Sequence, residues 1–255
     1  MVVSISTDGE RKMTGRIQGA ATCFEQAALP GFFRIWCGLH QLDLKLQSFF
    51  VSLMGEHFYS SLMSLIAYLR RQKNLIKDMN TKTPTVSDTR WESMSTVSGC
   101  FKSNRVGVLA YLDLKKPSVA PSPSWWIVIM FIHKISAEAT ITFRNLEGLT
   151  TIVSQQREGL RHLHGVYAQL FNASGPLSDE DADVVDLGVA VVSNDCLFLI
   201  QLSDVKEVLE DLGIFVLENI EETGADAMTE LVKDISVCTV NLIAGVDYIV
   251  AERDS

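Results

Sequence analysis

At 255 residues, 47% hydrophobic and 21% charged, the chain has the composition of a globular protein with ample length for a core, which excludes disordered and fibrous classes. Five scattered cysteines (Cys23, Cys37, Cys100, Cys196, Cys238) with no CxxC pair argue against a disulfide framework or a closed four-thiolate zinc site, and favour a reducing, intracellular compartment. The net charge of −9 is split unevenly: residues 1–134 carry 16 Lys and Arg against 9 Asp and Glu, and residues 135–255 carry 6 against 22.

In chain order, residues 2–6 alternate and are β-branched, and they stop at Thr7-Asp8-Gly9, which predicts a short strand ending on a carboxylate and a Gly turn. Residues 11–28 suit a helix, with Met13, Ile17, Ala20, Ala21, Phe24 and Ala28 near helical spacing, ended by Leu29-Pro30-Gly31. Residues 32–36 form a second candidate strand. A long helix follows over about 39–77, with a break near Gly55. After a loop at 81–87, a helix over 88–102 begins with Ser87 or Asp88 as candidate N-cap. Pro117, Pro121 and Pro123 make residues 115–124 the clearest linker.

Beyond the linker, residues 125–171 read as one long helix or two, with Ile129, Ile132, Ile135, Ala139, Ile141, Leu146 and Leu149 as the buried stripe. Residues 172–183 read as a polar turn region and 184–193 as ambiguous. Residues 205–222 and 225–251 resemble amphipathic helices. The longest unbroken apolar run, residues 125–132, is far short of the about 20 residues that cross a bilayer. No basic-then-apolar leader follows Met1, and no membrane partner is expected. Two strands alone make a poor sheet, so further strands are expected to precede Met1.

Few residues carry chemistry. Asp8, at a strand end before Gly9, is a candidate Mg²⁺ ligand, or else a turn-capping Asp. Two-metal phosphoryl chemistry needs several such carboxylates. Cys37 and His40, at i and i+3 where strand passes into helix, share a helical face and form half of a zinc site, or a structural pair in which His40 hydrogen-bonds across the junction. Arg90-Trp91 in the basic half is a candidate clamp for a phosphate and an unstacked base, or an ordinary packed Trp at a helix start. Trp125-Trp126 reads as core, and the spacing of His162 and His164 turns them apart. No phosphate loop, GxSxG elbow or HExxH is present.

Three ordered blocks resemble the catalytic core of hAT-superfamily DNA transposases. They are Ser6-Thr7-Asp8-Gly9-Glu10-Arg11-Lys12-Met13-Thr14-Gly15, then Arg34-Ile35-Trp36-Cys37-Gly38-Leu39-His40-Gln41-Leu42-Asp43-Leu44, then Asp88-Thr89-Arg90-Trp91-Glu92-Ser93. The stretch from Trp125-Trp126 to Ser154-Gln155-Gln156-Arg157 is similar to insertion-domain helix in these elements, and the resemblance covers residues 1 to about 172.

The resemblance implies an RNase H-like core with a large helical insertion and an Asp-Asp-Glu triad that holds Mg²⁺ or Mn²⁺. Asp8 matches the second Asp, Trp91 the aromatic that stacks near a flipped base, and Cys37 and His40 the pair near the active site. The first Asp belongs upstream, and no Glu is assigned. The expected fold is therefore α+β and predominantly α: about two strands of an RNase H-like sheet in residues 1–80, then an all-helical insertion over 81–255. The expected function is that of a truncated or degenerate transposase fragment, nuclear, which binds DNA through residues 1–134 and does not bind metal productively. A homo-oligomer stays open, although the family's dimerisation segment is not matched. The alternative is a helical interaction module whose acidic half binds basic partners.

Overall fold

The computed structural model describes residues 4–7, 20–27, 33–84, 93–147, 153–177, 188–193 and 196–251. Strand β1 (Ser4–Thr7) and strand β2 (Phe33–Trp36) pair in parallel, with helix α1 (Ala20–Ala27) in the connection. The register sets Ser4 opposite Phe33 and Thr7 opposite Trp36. A parallel pair requires such a crossover, because a tight hairpin can join only antiparallel neighbours.

Helix α2 (Gly38–Leu69) follows at once and is kinked where the sequence predicted, at Gly55, whose φ of 55° and ψ of 175° are not helical. The short α3 (Lys73–Met79) leads to α4 (Ser93–Lys115), which runs past residue 102 because no proline interrupts it before Pro117. The linker holds, but Pro123 belongs to the next helix, α5 (Pro123–Leu146). There the missing N–H of proline costs nothing at the first turn, and the Ser122 hydroxyl caps by accepting from the Trp125 N–H. Residues 125–171 divide into α5 and α6 (Val153–Leu170).

The polar-turn and all-helical expectations for the C-terminal third need correction. Strands β3 (Ser174–Leu177), β4 (Gly188–Ser193) and β5 (Cys196–Gln201) form an antiparallel sheet in the order β3-β5-β4. Central β5 buries Phe198, Leu199 and Ile200. A short apolar run between polar breaks is the mark of such a strand, and here it stands two residues after a Val-rich one. Helix α7 (Leu202–Glu210) and helix α8 (Ile214–Thr223) then replace the single helix expected over 205–222. Gly213 separates them at φ 106°, a torsion that favours glycine. The last helix, α9 (Ala225–Ala251), has the predicted bounds.

The fold is thus predominantly helical, with one small antiparallel sheet. Helix α9 packs along α2, α6 and β4, while α5 lies between α4, α6 and α8. One core runs from Leu42 to Val250 and includes Leu75 of α3 and Met94 of α4. At its centre Trp125 stacks on Phe58 of α2 (centroids 5.3 Å, 14° between planes) and meets Phe101 and Trp126 edge-on, and Trp126 meets Phe215 of α8. These contacts join four helices, and Trp125-Trp126 is core as read. Ile141 departs from the predicted stripe and is exposed.

Helices α5 and α9 are each long and apolar enough to cross a membrane, but 72% and 67% of their most apolar windows are buried inside the fold. A count of unbroken apolar residues misses both, because a few charged residues and several uncharged polar ones interrupt them. Ser136 and Ser236 are such residues, and each donates its hydroxyl proton to the carbonyl four residues before it, at 2.7 Å.

Candidate functional site

Parallel pairing of β1 and β2 puts their carboxyl ends at one edge, with Thr7 opposite Trp36. Cys37 is the next residue after β2 and the N-cap of α2. Its backbone is extended (φ −64°, ψ 117°), and its carbonyl accepts from the Gln41 N–H at 3.1 Å. Its thiol makes no capping bond and is half-buried. His40, in the first turn of α2, is also half-buried, and among the described residues no hydrogen bond reaches its ring, so the bond expected across the junction is not made there. Asp8, Arg90 and Trp91 lie outside the described residues.

The divalent ions implied by the resemblance need several converging carboxylates. Among the described residues no three His, Cys, Asp or Glu side chains come together to hold an ion. Cys37 and His40 alone offer two ligands where zinc takes four. The described residues alone therefore assemble neither metal centre.

The charge division takes two distinct forms. Exposed Arg70, Arg71, Lys73, Lys77 and Lys82 cluster where α2 passes into α3, with Asp78 the one carboxylate among residues 70–82. The Arg70 guanidinium donates to the Thr83 carbonyl at 2.8 Å, which anchors the start of the stretch that leads to Arg90 and Trp91. Elsewhere, Lys102 of α4 and Lys134 of α5 line a cleft of about 570 Å³ together with Asp204 and Glu207 of α7 and Asp211, its C-cap. There residues of the basic half and of the acidic half line one cleft. Asn172 reaches Asp204 at 3.5 Å, and Lys134 pairs with Glu138 at 3.4 Å.

Beside that cleft, His133 Nδ1 lies 3.4 Å from the Ser98 hydroxyl. Burial, and then the nearby Lys102, lowers the His133 pKa, against a backbone hydrogen bond at Ser95 that raises it. The pair is no nucleophilic dyad, since Ser98 is fully buried and donates its proton to the Met94 carbonyl at 2.6 Å. His162 is exposed and His164 half-buried, in keeping with their spacing. His164 Nε2 lies 3.9 Å from Asp247. Its pKa is lowered by burial, with Asp247 opposing.

The acidic row at 204, 207 and 211 is legible as helical spacing, but nothing in the sequence aims it at Lys102 and Lys134. The basic cluster at 70–82 is plainly visible as a charge run. Comparison with protein-family models, with curated proteins and with solved structures finds no match for this chain.

Proposed function

We propose that the chain derives from a hAT-like DNA transposase and retains DNA binding without turnover of its own. On this reading β1, α1 and β2 belong to an RNase H-like core, Asp8 is its one matched carboxylate, and the protein acts in the nucleus. The observation that carries the reading is the parallel β1-α1-β2 unit. Its register leaves Asp8 and Cys37 as the residues that follow Thr7 and Trp36, two neighbouring strand ends. Strand ends of this kind are where α/β sheets gather their functional side chains. The exposed cations at 70–82, just ahead of Arg90 and Trp91 in the chain, supply the electrostatic part of binding.

The test is binding of hairpin and single-stranded DNA to the full chain across a salt series, alongside an assay for Mg²⁺- or Mn²⁺-dependent nicking. Binding should weaken steeply with salt. Trp91→Ala should lose a salt-insensitive share of about 1–3 kcal/mol through lost base stacking. No nicking is expected, because a single matched carboxylate cannot hold two divalent ions. DNA binding that ignores both salt and Trp91→Ala would sink the proposal, and cleavage abolished by Asp8→Asn would replace it with an intact enzyme.

A further inference from the structure

The acidic surface carries a feature that the DNA reading leaves unused. Helices α7, α8 and α9 enclose an open groove of about 450 Å³, lined in its apolar part by Leu202, Ile220, Met228 and Val232. That volume falls in the range of sites that take up side chains of a ligand. Glu221 and Gly224 of the α8 side reach the same groove. On α8, Leu217 and Ile214 stand four and seven residues before Glu221, which sets them on one line of the helix. They are 39% and 75% exposed, so the apolar path continues out of the groove along the surface. From Ile214 to Gly224 the path is about 15 Å long, enough for two to three turns of another helix.

The charge around this path is mostly negative, with Lys206 the one cation among the described residues that line the groove. Residues 202–251 contain 11 Asp and Glu against Lys206 and Lys233. Both lysines already have carboxylate partners, Glu210 at 3.7 Å and Glu230 at 2.9 Å. Among the described residues Glu218, Glu221, Glu222 and Asp226 have no basic partner, and all four are exposed. Such a rim repels nucleic acid and acidic proteins, and lowers its energy when cations replace water beside it. A partner must therefore offer an apolar row flanked by Lys or Arg.

We propose that the α7–α8–α9 groove is a docking site for a basic amphipathic helix of another protein. Its apolar side chains enter between Ile220, Met228 and Val232, and its cations meet Glu221, Glu222 and Asp226. This is the helix-in-groove mode, in which an apolar row at i, i+3, i+4 and i+7 supplies affinity and the rim supplies orientation. It is independent of any DNA contact at residues 70–82.

The probe is a fluorescein-labelled 14-residue peptide of Leu and Lys with the leucines on one helical face, titrated against the full chain by anisotropy. Two control peptides keep the length: one replaces Leu by Gln at equal charge, the other replaces Lys by Glu. The Leu/Lys peptide should bind at least about tenfold more tightly than either. Thr229→Arg, an exposed position on the groove wall, should cost about tenfold without changing the circular dichroism spectrum. Should that variant unfold, Ala225→Arg at the groove mouth makes the same test. Glu221→Gln with Glu222→Gln should weaken binding and flatten its salt dependence.

Equal affinity for the Leu/Lys and Gln/Lys peptides reduces the effect to net charge and overturns the proposal, as does unchanged affinity in folded Thr229→Arg. A wild-type chain that sediments as a dimer, which Thr229→Arg dissociates, makes the occupant a second copy and also overturns it.

Discussion

Gly55→Ala tests the kink that lets one helix serve both ends of the core. Gly55 sits at φ 55° and ψ 175°, a region that side-chain-bearing residues adopt at a cost of about 1–3 kcal/mol. Nothing lies within 4 Å of the Cβ that alanine would add, so the cost is torsional and not steric crowding. The alternative for the chain is to straighten α2 and gain helix propensity of about 1 kcal/mol. Straightening swings Leu62, Leu65, Ile66 and Leu69, all 0–2% exposed, away from their places. Each such side chain is worth about 1.5–3 kcal/mol of burial, so the fold keeps the kink and bears the strain.

The expected result is a loss of about 1–3 kcal/mol in urea unfolding, or roughly 2–4 °C in Tm for each kcal/mol in a chain of this size. Gly165→Ala provides the control. Gly165 is exposed within α6 and likewise has nothing within 4 Å, so alanine there should stabilise by about 0.5–1 kcal/mol. The two substitutions are chemically identical and should have opposite signs. If Gly55→Ala stabilises as Gly165→Ala does, residue 55 is helical in solution and the argument for a kinked α2 fails.

Two buried hydroxyls should also respond with opposite signs. Tyr167 is fully buried and donates to the Ile135 carbonyl at 2.8 Å, so Tyr167→Phe should cost about 1 kcal/mol in urea unfolding, and a neutral result would deny the bond. Among the described residues the buried Thr239 hydroxyl has no hydrogen-bond partner, so Thr239→Val should stabilise by about 1 kcal/mol; a loss of that size would refute this. For His164 the folded pKa is lowered by burial, so the unfolded chain takes up its proton first as pH falls. The stability from keeping His164 neutral is complete above about pH 6.5 and is lost below it, down to the folded pKa. His164→Gln should therefore narrow the gap in urea midpoint between pH 7.5 and pH 5.5, with His133 supplying the remainder in the same direction. An unchanged gap refutes the assignment.

Where local signals and tertiary packing agree, the sequence was readable. The bounds of α9 follow from a sustained apolar row that begins after Gly224, and the break in α2 follows from Gly55. The C-terminal sheet was not readable, for a physical reason. Ser174–Leu177 contains Gly175 and Pro176 and has the composition of a turn; only its pairing with β5, with Ser174 opposite Leu199, makes it a strand. Gly188–Ser193 is Val-rich but short, and its partner strand decides its state. The candidate site divides the same way. The cations at 70–82 are a local fact of sequence, whereas the meeting of Lys102 and Lys134 with Glu207 and Asp211 exists only once α4, α5 and α7 have packed.

That distinction decides which cations can reach a phosphate backbone. Lys102 and Lys134 share their cleft with three carboxylates, so DNA entering it would meet both signs at once. A fragment of residues 1–134 would not isolate the basic half either, because the cut falls inside α5 and removes Ile135, Ala139 and Phe143 from the core. The charge argument has to be tested in the intact chain, on Arg70, Arg71, Lys73, Lys77 and Lys82. Five phosphate contacts on a single strand give a slope of log K against log salt of about −3.5, or roughly a hundredfold loss of affinity between 50 and 200 mM. Replacing Arg71, Lys73 and Lys77 together by Gln leaves two contacts and a slope near −1.4, roughly a sevenfold loss over the same range. Arg70 stays in place because its guanidinium holds the Thr83 carbonyl. If the wild type and the triple variant have the same slope, these cations do not touch the strand, whatever the affinity.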